Sequence, residues 1–189
     1  MPYFQDALGM LVDVLLGLFL VVVILRFLCQ LFRADFRNPI IAVIISVTNP
    51  PLRFPRRFIP GLYGFDLASL FLILIVAFAK YFLLFSIAGL QVSLSALLLY
   101  AVGESINIAC WILLIAIFGS AILSWIAPRT YHPAARILGE ISDPVLLPFR
   151  RLMPNLGGLD ISPIFAILAI SLVQRLVVNP LMDLSRSLI

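Results

Sequence analysis

The chain is 189 residues long, 63% hydrophobic and only 12% charged, with a mean hydropathy of +1.16 and a formal net charge of +4. A soluble domain carries about a quarter charged residues, so a water-driven globular core is excluded and an integral membrane protein is expected. The charge comes from twelve arginines and one lysine, which in such a chain read as topology signals before nucleic-acid contacts.

Residues 7–28 form the first expected span, because about twenty apolar residues cross a hydrocarbon core of roughly 30 Å. No basic residue precedes Arg26, and Asp6 and Asp13 interrupt the early run. The segment therefore reads as a retained span, not a secretory signal. Asn38-Pro39 predicts a helix start, since Asn caps well and Pro suits the first helical position. Residues 39–47 are apolar but too short to cross, which leaves an interfacial or a re-entrant helix. Asn49-Pro50 predicts its end, with a Pro-Arg-Gly loop over 50–65. Asp66 is placed as the N-cap of a second span, 67–88, with Lys80 well inside it. Residues 94–126 are apolar for 33 positions, about 50 Å as helix. A break is expected at 103–107, with a short helix before it and the third span at 105–126. Within that span Ala116, Ser120 and Ser124 have small-xxx-small spacing. Residues 133–142 form the second interfacial helix, and Asp160 caps the fourth span, 161–178, which contains Arg175. Asn179-Pro180 is expected to stop it.

The loops repeat. Pro50-Pro51-Leu52-Arg53-Phe54-Pro55-Arg56-Arg57 returns 94 residues later as Pro144-Val145-Leu146-Leu147-Pro148-Phe149-Arg150-Arg151. Between 38–68 and 132–162 nine positions are identical with no gap, the signature of an internal duplication. The division is 1–93 and 94–189, each half with two spans. An even number of spans gives both halves one orientation, so the arrangement is all-α with four spans in two parallel repeats. Loops 33–66 and 127–160 hold five and four arginines. The positive-inside rule puts these loops in the cytoplasm and both termini outside.

Two groups of residues are candidates for function. Arg56-Arg57 and Arg150-Arg151, stiffened by nearby prolines, suit anionic headgroups or a docked protein partner. Asp13, Lys80, Glu104 and Arg175 are ionisable residues inside spans, where such groups pair or serve transport. Lys80 and Arg175 fall at nearly equivalent depth, which suggests pairs Lys80–Asp13 and Arg175–Glu104. Asp66 and Asp160 read as helix caps. His132 with two scattered cysteines, Cys29 and Cys110, makes no metal constellation, and recognised catalytic and nucleotide motifs are missing. Enzyme is thus the least supported class, with no cofactor and no nucleic acid expected.

At the loops the chain resembles the YggT family, also called YlmG, of small membrane proteins. The residues that carry this are Arg26-Phe27-Leu28-Cys29-Gln30, Asp35-Phe36-Arg37-Asn38-Pro39-Ile40, Pro55-Arg56-Arg57-Phe58-Ile59-Pro60, Ser124-Trp125, Asp143-Pro144-Val145-Leu146-Leu147-Pro148-Phe149-Arg150-Arg151 and Gly157-Gly158-Leu159-Asp160-Ile161-Ser162-Pro163. In the first repeat Pro55 stands one place late relative to Pro148, and Arg53 intrudes. The resemblance implies a bacterial inner membrane protein without established catalysis. It points to an accessory or scaffold role in osmotic stress tolerance or ion homeostasis, with a protein partner or a homo-oligomer. An ion transporter or channel, and an assembly factor for a cytochrome or the division machinery, are the alternatives.

Overall fold

The computed structural model describes residues 2–59, 66–126, 132–152 and 160–188. The described chain is all helical: α1 (Pro2–Leu31), α2 (Pro39–Phe58), α3 (Leu67–Ile87), α4 (Leu94–Ile126), α5 (Pro133–Leu152) and α6 (Ser162–Val173), then a π-helical turn (Gln174–Val178) and α7 (Asn179–Ser187). Four stretches are long and apolar enough to cross a membrane: Tyr3–Leu31, Leu67–Ile87, Leu94–Ser124 and Ser162–Ser187. Positions 1, 60–65, 127–131, 153–159 and 189, and with them the expectations placed on Pro60 and Gly157, lie outside the described residues.

Three expected boundaries are corrected. Helix α2 runs 20 residues, through Pro50, Pro51 and Pro55, and α5 runs 20 through Pro144 and Pro148. A helical proline frees the carbonyl four residues back. For Pro50 and Pro51 those carbonyls belong to Ser46 and Val47, both exposed, so losing their partners costs little. The prolines therefore lie within helix, not in a loop over 50–65. Helix α4 is unbroken across 103–107, because its polar groups are satisfied where they stand. Ser105 Oγ donates to the Ala101 carbonyl at 2.6 Å, and Asn107 bonds within its own helix and to a neighbour. Asn179-Pro180 does not end the last span. The π turn absorbs the proline, with the Asn179 amide reaching back to the Gln174 carbonyl, a known device for carrying a helix past a defect.

Helix α1 packs along α3 over Leu20, Val23, Ile24, Leu72, Ile73 and Ala77, all buried. Helix α4 lies between this pair and the rest of the second half, where its Ile117 meets Leu146, Ala166 and Ile170. A third apolar cluster joins the halves through Cys29, Ala34, Ile41, Ala116, Ile137 and Ile141. The amphipathic helices dock by one stripe each. In α2 the stripe is Ile41, Ile44, Thr48, Leu52 and Pro55, and in α5 it is Ile137, Ile141, Ser142 and Leu146.

A polar seam closes the junction between halves. Asn38 Oδ1 accepts from the Ile40 amide at 3.0 Å, capping α2, while its Nδ2 donates to the Pro133 carbonyl at 2.8 Å. Arg136 bridges Asp35 at 2.7 Å and Glu140 at 2.9 Å, and the Asp35 amide donates to Glu140 at 3.0 Å. His132 takes the place of Asn38 in the second repeat, with Nδ1 accepting from the Ala134 amide at 3.2 Å.

Candidate functional site

The ends of α2 and α5 carry the paired arginines, and the two members of each pair behave differently. Arg56 donates to Asp66 Oδ2, while Asp66 also accepts from the Ser69 hydroxyl at 2.7 Å and the Ser69 amide at 3.1 Å. Burial pushes Asp66 up, but the hydrogen bonds from Ser69 and Arg56 outweigh it and hold the carboxyl below the usual carboxylate range. In the second repeat Arg150 bridges Asp160 at 2.8 Å and Asp143 at 2.9 Å. Burial works against the Arg150 charge, yet the two aspartates raise its proton affinity above the ordinary guanidinium. Asp160 is likewise held low: burial opposes it, and the Ser162 and Arg150 hydrogen bonds prevail. Its Oδ1 accepts from the Ser162 amide at 2.9 Å, at the foot of α6. One arginine of each pair thus ties its amphipathic helix to the start of the next span. Arg57 and Arg151 are exposed, beside exposed Phe54, Phe58 and Leu152.

Inside the helices, Lys80 Nζ lies 2.8 Å from Asp13 Oδ1, with the lysine side chain 7% exposed and the aspartate 58%. Gly17, one turn along α1 from Asp13, leaves room for the ammonium, since a Cβ there would stand 3.3 Å from Nζ. The pairing of Arg175 with Glu104 is not formed. Glu104 Oε2 accepts from Asn107 Nδ2 at 3.3 Å, and Asn107 Oδ1 accepts from Gln174 Nε2 at 3.2 Å, while Arg175 is exposed. The reason is register. The repeat offset of 94 maps Asp13 onto Asn107 and Lys80 onto Gln174, whereas Arg175 maps onto Tyr81. One helical step turns a side chain by about 100°. The same cross-helix contact is therefore an ion pair in the first half and an amide pair in the second.

Arg26, a topology charge and the head of the Arg26–Gln30 stretch in the sequence, is 5% exposed at the base of α1. It donates to Thr48 Oγ1 and, at 3.4 Å, to the Ile45 carbonyl, clamping α2 to α1. Its Nε has no partner among the described residues. The 94-residue offset places Ser120 at the matching position. There the second half has an open cleft of about 720 Å³ between α4, α5 and α6, walled by Phe118, Ser120, Ile164 and Ile167, with Asp143, Arg150 and Asp160 around its polar part.

A family model described as CCB3/YggT matches residues 5–87 and again 99–181, two ranges in the same 94-residue register. An uncharacterized protein of Pseudomonas aeruginosa is 42% identical over 167 residues, covering 87% of this chain and 85% of its own. The uncharacterized protein YggT of Escherichia coli K12 is 32% identical over 179 residues, covering 90% and 88%. An uncharacterized Vibrio alginolyticus protein is 33% identical over 164 residues, covering 84% and 86%. No solved structure matches the chain.

Proposed function

The chain belongs to the CCB3/YggT family, and from that membership we propose that it is a non-enzymatic accessory protein of the bacterial inner membrane. Its four long apolar helices cross the bilayer as two parallel repeats. Helices α2 and α5 lie in the cytoplasmic interface, and both termini are outside. The observation that carries this reading is the pair of duplicated amphipathic helices. Each buries one stripe, ties one arginine to the aspartate before the next span, and carries a second exposed arginine beside apolar side chains: Arg57 with Phe54 and Phe58, and Arg151 with Leu152. Basic and aromatic groups on one helix suit a headgroup layer or an interfacial partner. The seam between Asn38 and Pro133 brings the starts of α2 and α5 together, which favours both helices on one side of the membrane.

The role is scaffolding at that face in support of osmotic or ion homeostasis. Purification in gentle detergent from native membranes tests it. The expected outcome is a stoichiometric partner lost on Arg57→Ala/Arg151→Ala, and a lone chain or homo-oligomer counts against it. A reporter active only in the cytoplasm, fused at Ile189, tests the orientation and should be silent.

A second reading is favoured by Lys80 and Asp13, an ion pair inside candidate spans. In an oligomer such groups could line a path for cations or protons. Potassium and proton flux in liposomes, with Lys80→Met as comparison, decides it: flux lost with the lysine supports transport, and no flux removes it.

A further inference from the structure

The two halves treat one position in opposite ways. In the first, Arg26 reaches from α1 into the space beside Thr48, near Arg56 and Asp66. In the second, Ser120 replaces that arginine, and the matching space is the open cleft. Asp143 stands where the first half has Asn49. The surroundings therefore change from a net positive set, Arg26, Arg56 and Asp66, to a net negative one, Arg150, Asp143 and Asp160. Among the described residues, the second cleft lacks the guanidinium that Arg26 supplies in the first.

We propose that this cleft binds a membrane phospholipid whose headgroup carries a primary ammonium, the ethanolamine type. The assignment rests on the reading that α4 and α6 span a bilayer. Three observations select the occupant. Asp143 and Asp160 keep side-chain exposures of 58% and 44% even while bonded to Arg150, so free carboxylate lone pairs remain for N–H donors. Arg150 spends Nε on Asp160 and one Nη1 hydrogen on Asp143, and its Nη2 edge makes no hydrogen bond among the described residues, which leaves N–H donors for a phosphate beside the ammonium. A lone lysine or arginine from a protein partner would satisfy the carboxylates but set like charge against Arg150. Phe118 and Ile164, 61% and 66% exposed, continue the cleft along α4 and α6 as apolar walls for an acyl chain. A cleft of about 720 Å³ falls within the ordinary ligand-site range of roughly 300–1,000 Å³. A choline headgroup has no N–H to donate and is disfavoured.

The test uses the full chain in mild detergent or nanodiscs. Native mass spectrometry counts retained lipid after exchange with phosphatidylethanolamine, phosphatidylcholine or phosphatidylglycerol of identical acyl chains. The wild type should retain one phosphatidylethanolamine by about tenfold over either competitor, as expected for a charge-assisted hydrogen bond present in one lipid only. Ser120→Arg installs the first half's occupant and should abolish that preference while helicity and monodispersity persist. Asp143→Asn installs the first half's neutral residue and should weaken it. Equal retention of all three lipids by the wild type overturns the assignment, whether or not the Ser120→Arg chain folds. So does a stoichiometric protein that Ser120→Arg displaces with no change in lipid. Alkaline carbonate extraction separates the two levels of failure. A chain released from native membranes removes the membrane reading itself, whereas a retained chain without lipid preference removes only the cleft assignment.

Discussion

If Asp13–Lys80 and Asn107–Gln174 are the same contact in two chemical forms, the first can be rewritten as the second. Asp13→Asn alone leaves the Lys80 ammonium, 7% exposed, without its counter-charge. Breaking a buried pair costs about 3–5 kcal/mol. Asp13 keeps more than half its side chain exposed, at 58%, which puts the expected loss nearer ~2 kcal/mol. Lys80→Gln alone should cost less, about 1 kcal/mol, because the Asp13 carboxylate it leaves unpaired is 58% exposed. The double change Asp13→Asn/Lys80→Gln should recover most of the loss, because a neutral pair of similar shape often replaces an ion pair at little net cost. Reversible unfolding of the four variants in mixed micelles, followed by circular dichroism, gives the coupling energy, expected at about 2 kcal/mol. A double variant as unstable as the two singles added together refutes the reasoning, since the groups would then be energetically independent.

Gly17→Val should destabilise by about 1–2 kcal/mol through overpacking, as its side chain enters the space of Lys80 Nζ, and the penalty should vanish in a Lys80→Ala background measured the same way. Thr48→Val removes the hydroxyl that receives the buried Arg26 guanidinium and should cost about 2 kcal/mol, whereas Arg26→Met/Thr48→Val should recover much of it. Asp66 and Asp160 are both held below the usual carboxylate range when folded. The unfolded chain therefore binds more protons on acidification, and their contribution is present above the ordinary carboxylate pKa and lost as pH falls through the lowered one. Thermal stability in detergent should decline from roughly pH 4 downward, less steeply in Asp66→Asn/Asp160→Asn, and an unchanged slope counts against the two ties.

Much of the layout was legible. The duplicated Pro-Arg segment fixed the two halves, and Asp66 marked the start of α3 because an acid before an apolar run suits free helix amides. The expected span 67–88 differs from Leu67–Ile87 by one residue. The amphipathic helices were read too short because proline rules describe isolated helices, and here the freed carbonyls of Ser46 and Val47 fall on an exposed side. Residues 103–107 were read as a break because polar residues in an apolar run suggest a surface, whereas lateral hydrogen bonds supply the missing partners. Arg175 attracted attention as a charge, although the offset already pointed one residue earlier, to Gln174. Arg26 was passed over because it sits at the end of an apolar run, where arginine commonly anchors a helix. Comparing it with Ser120 across the repeat was the available signal.

The covalent link between halves is slight: a turn at Gly89, with φ of +72°, joins α3 to α4. The side-chain seam of Asn38, Asp35, Arg136 and Glu140 does not depend on that link. A gene cut between codons 89 and 94 should therefore still give a working product. The two fragments, made separately in one cell, would find each other as subunits of a heterodimer.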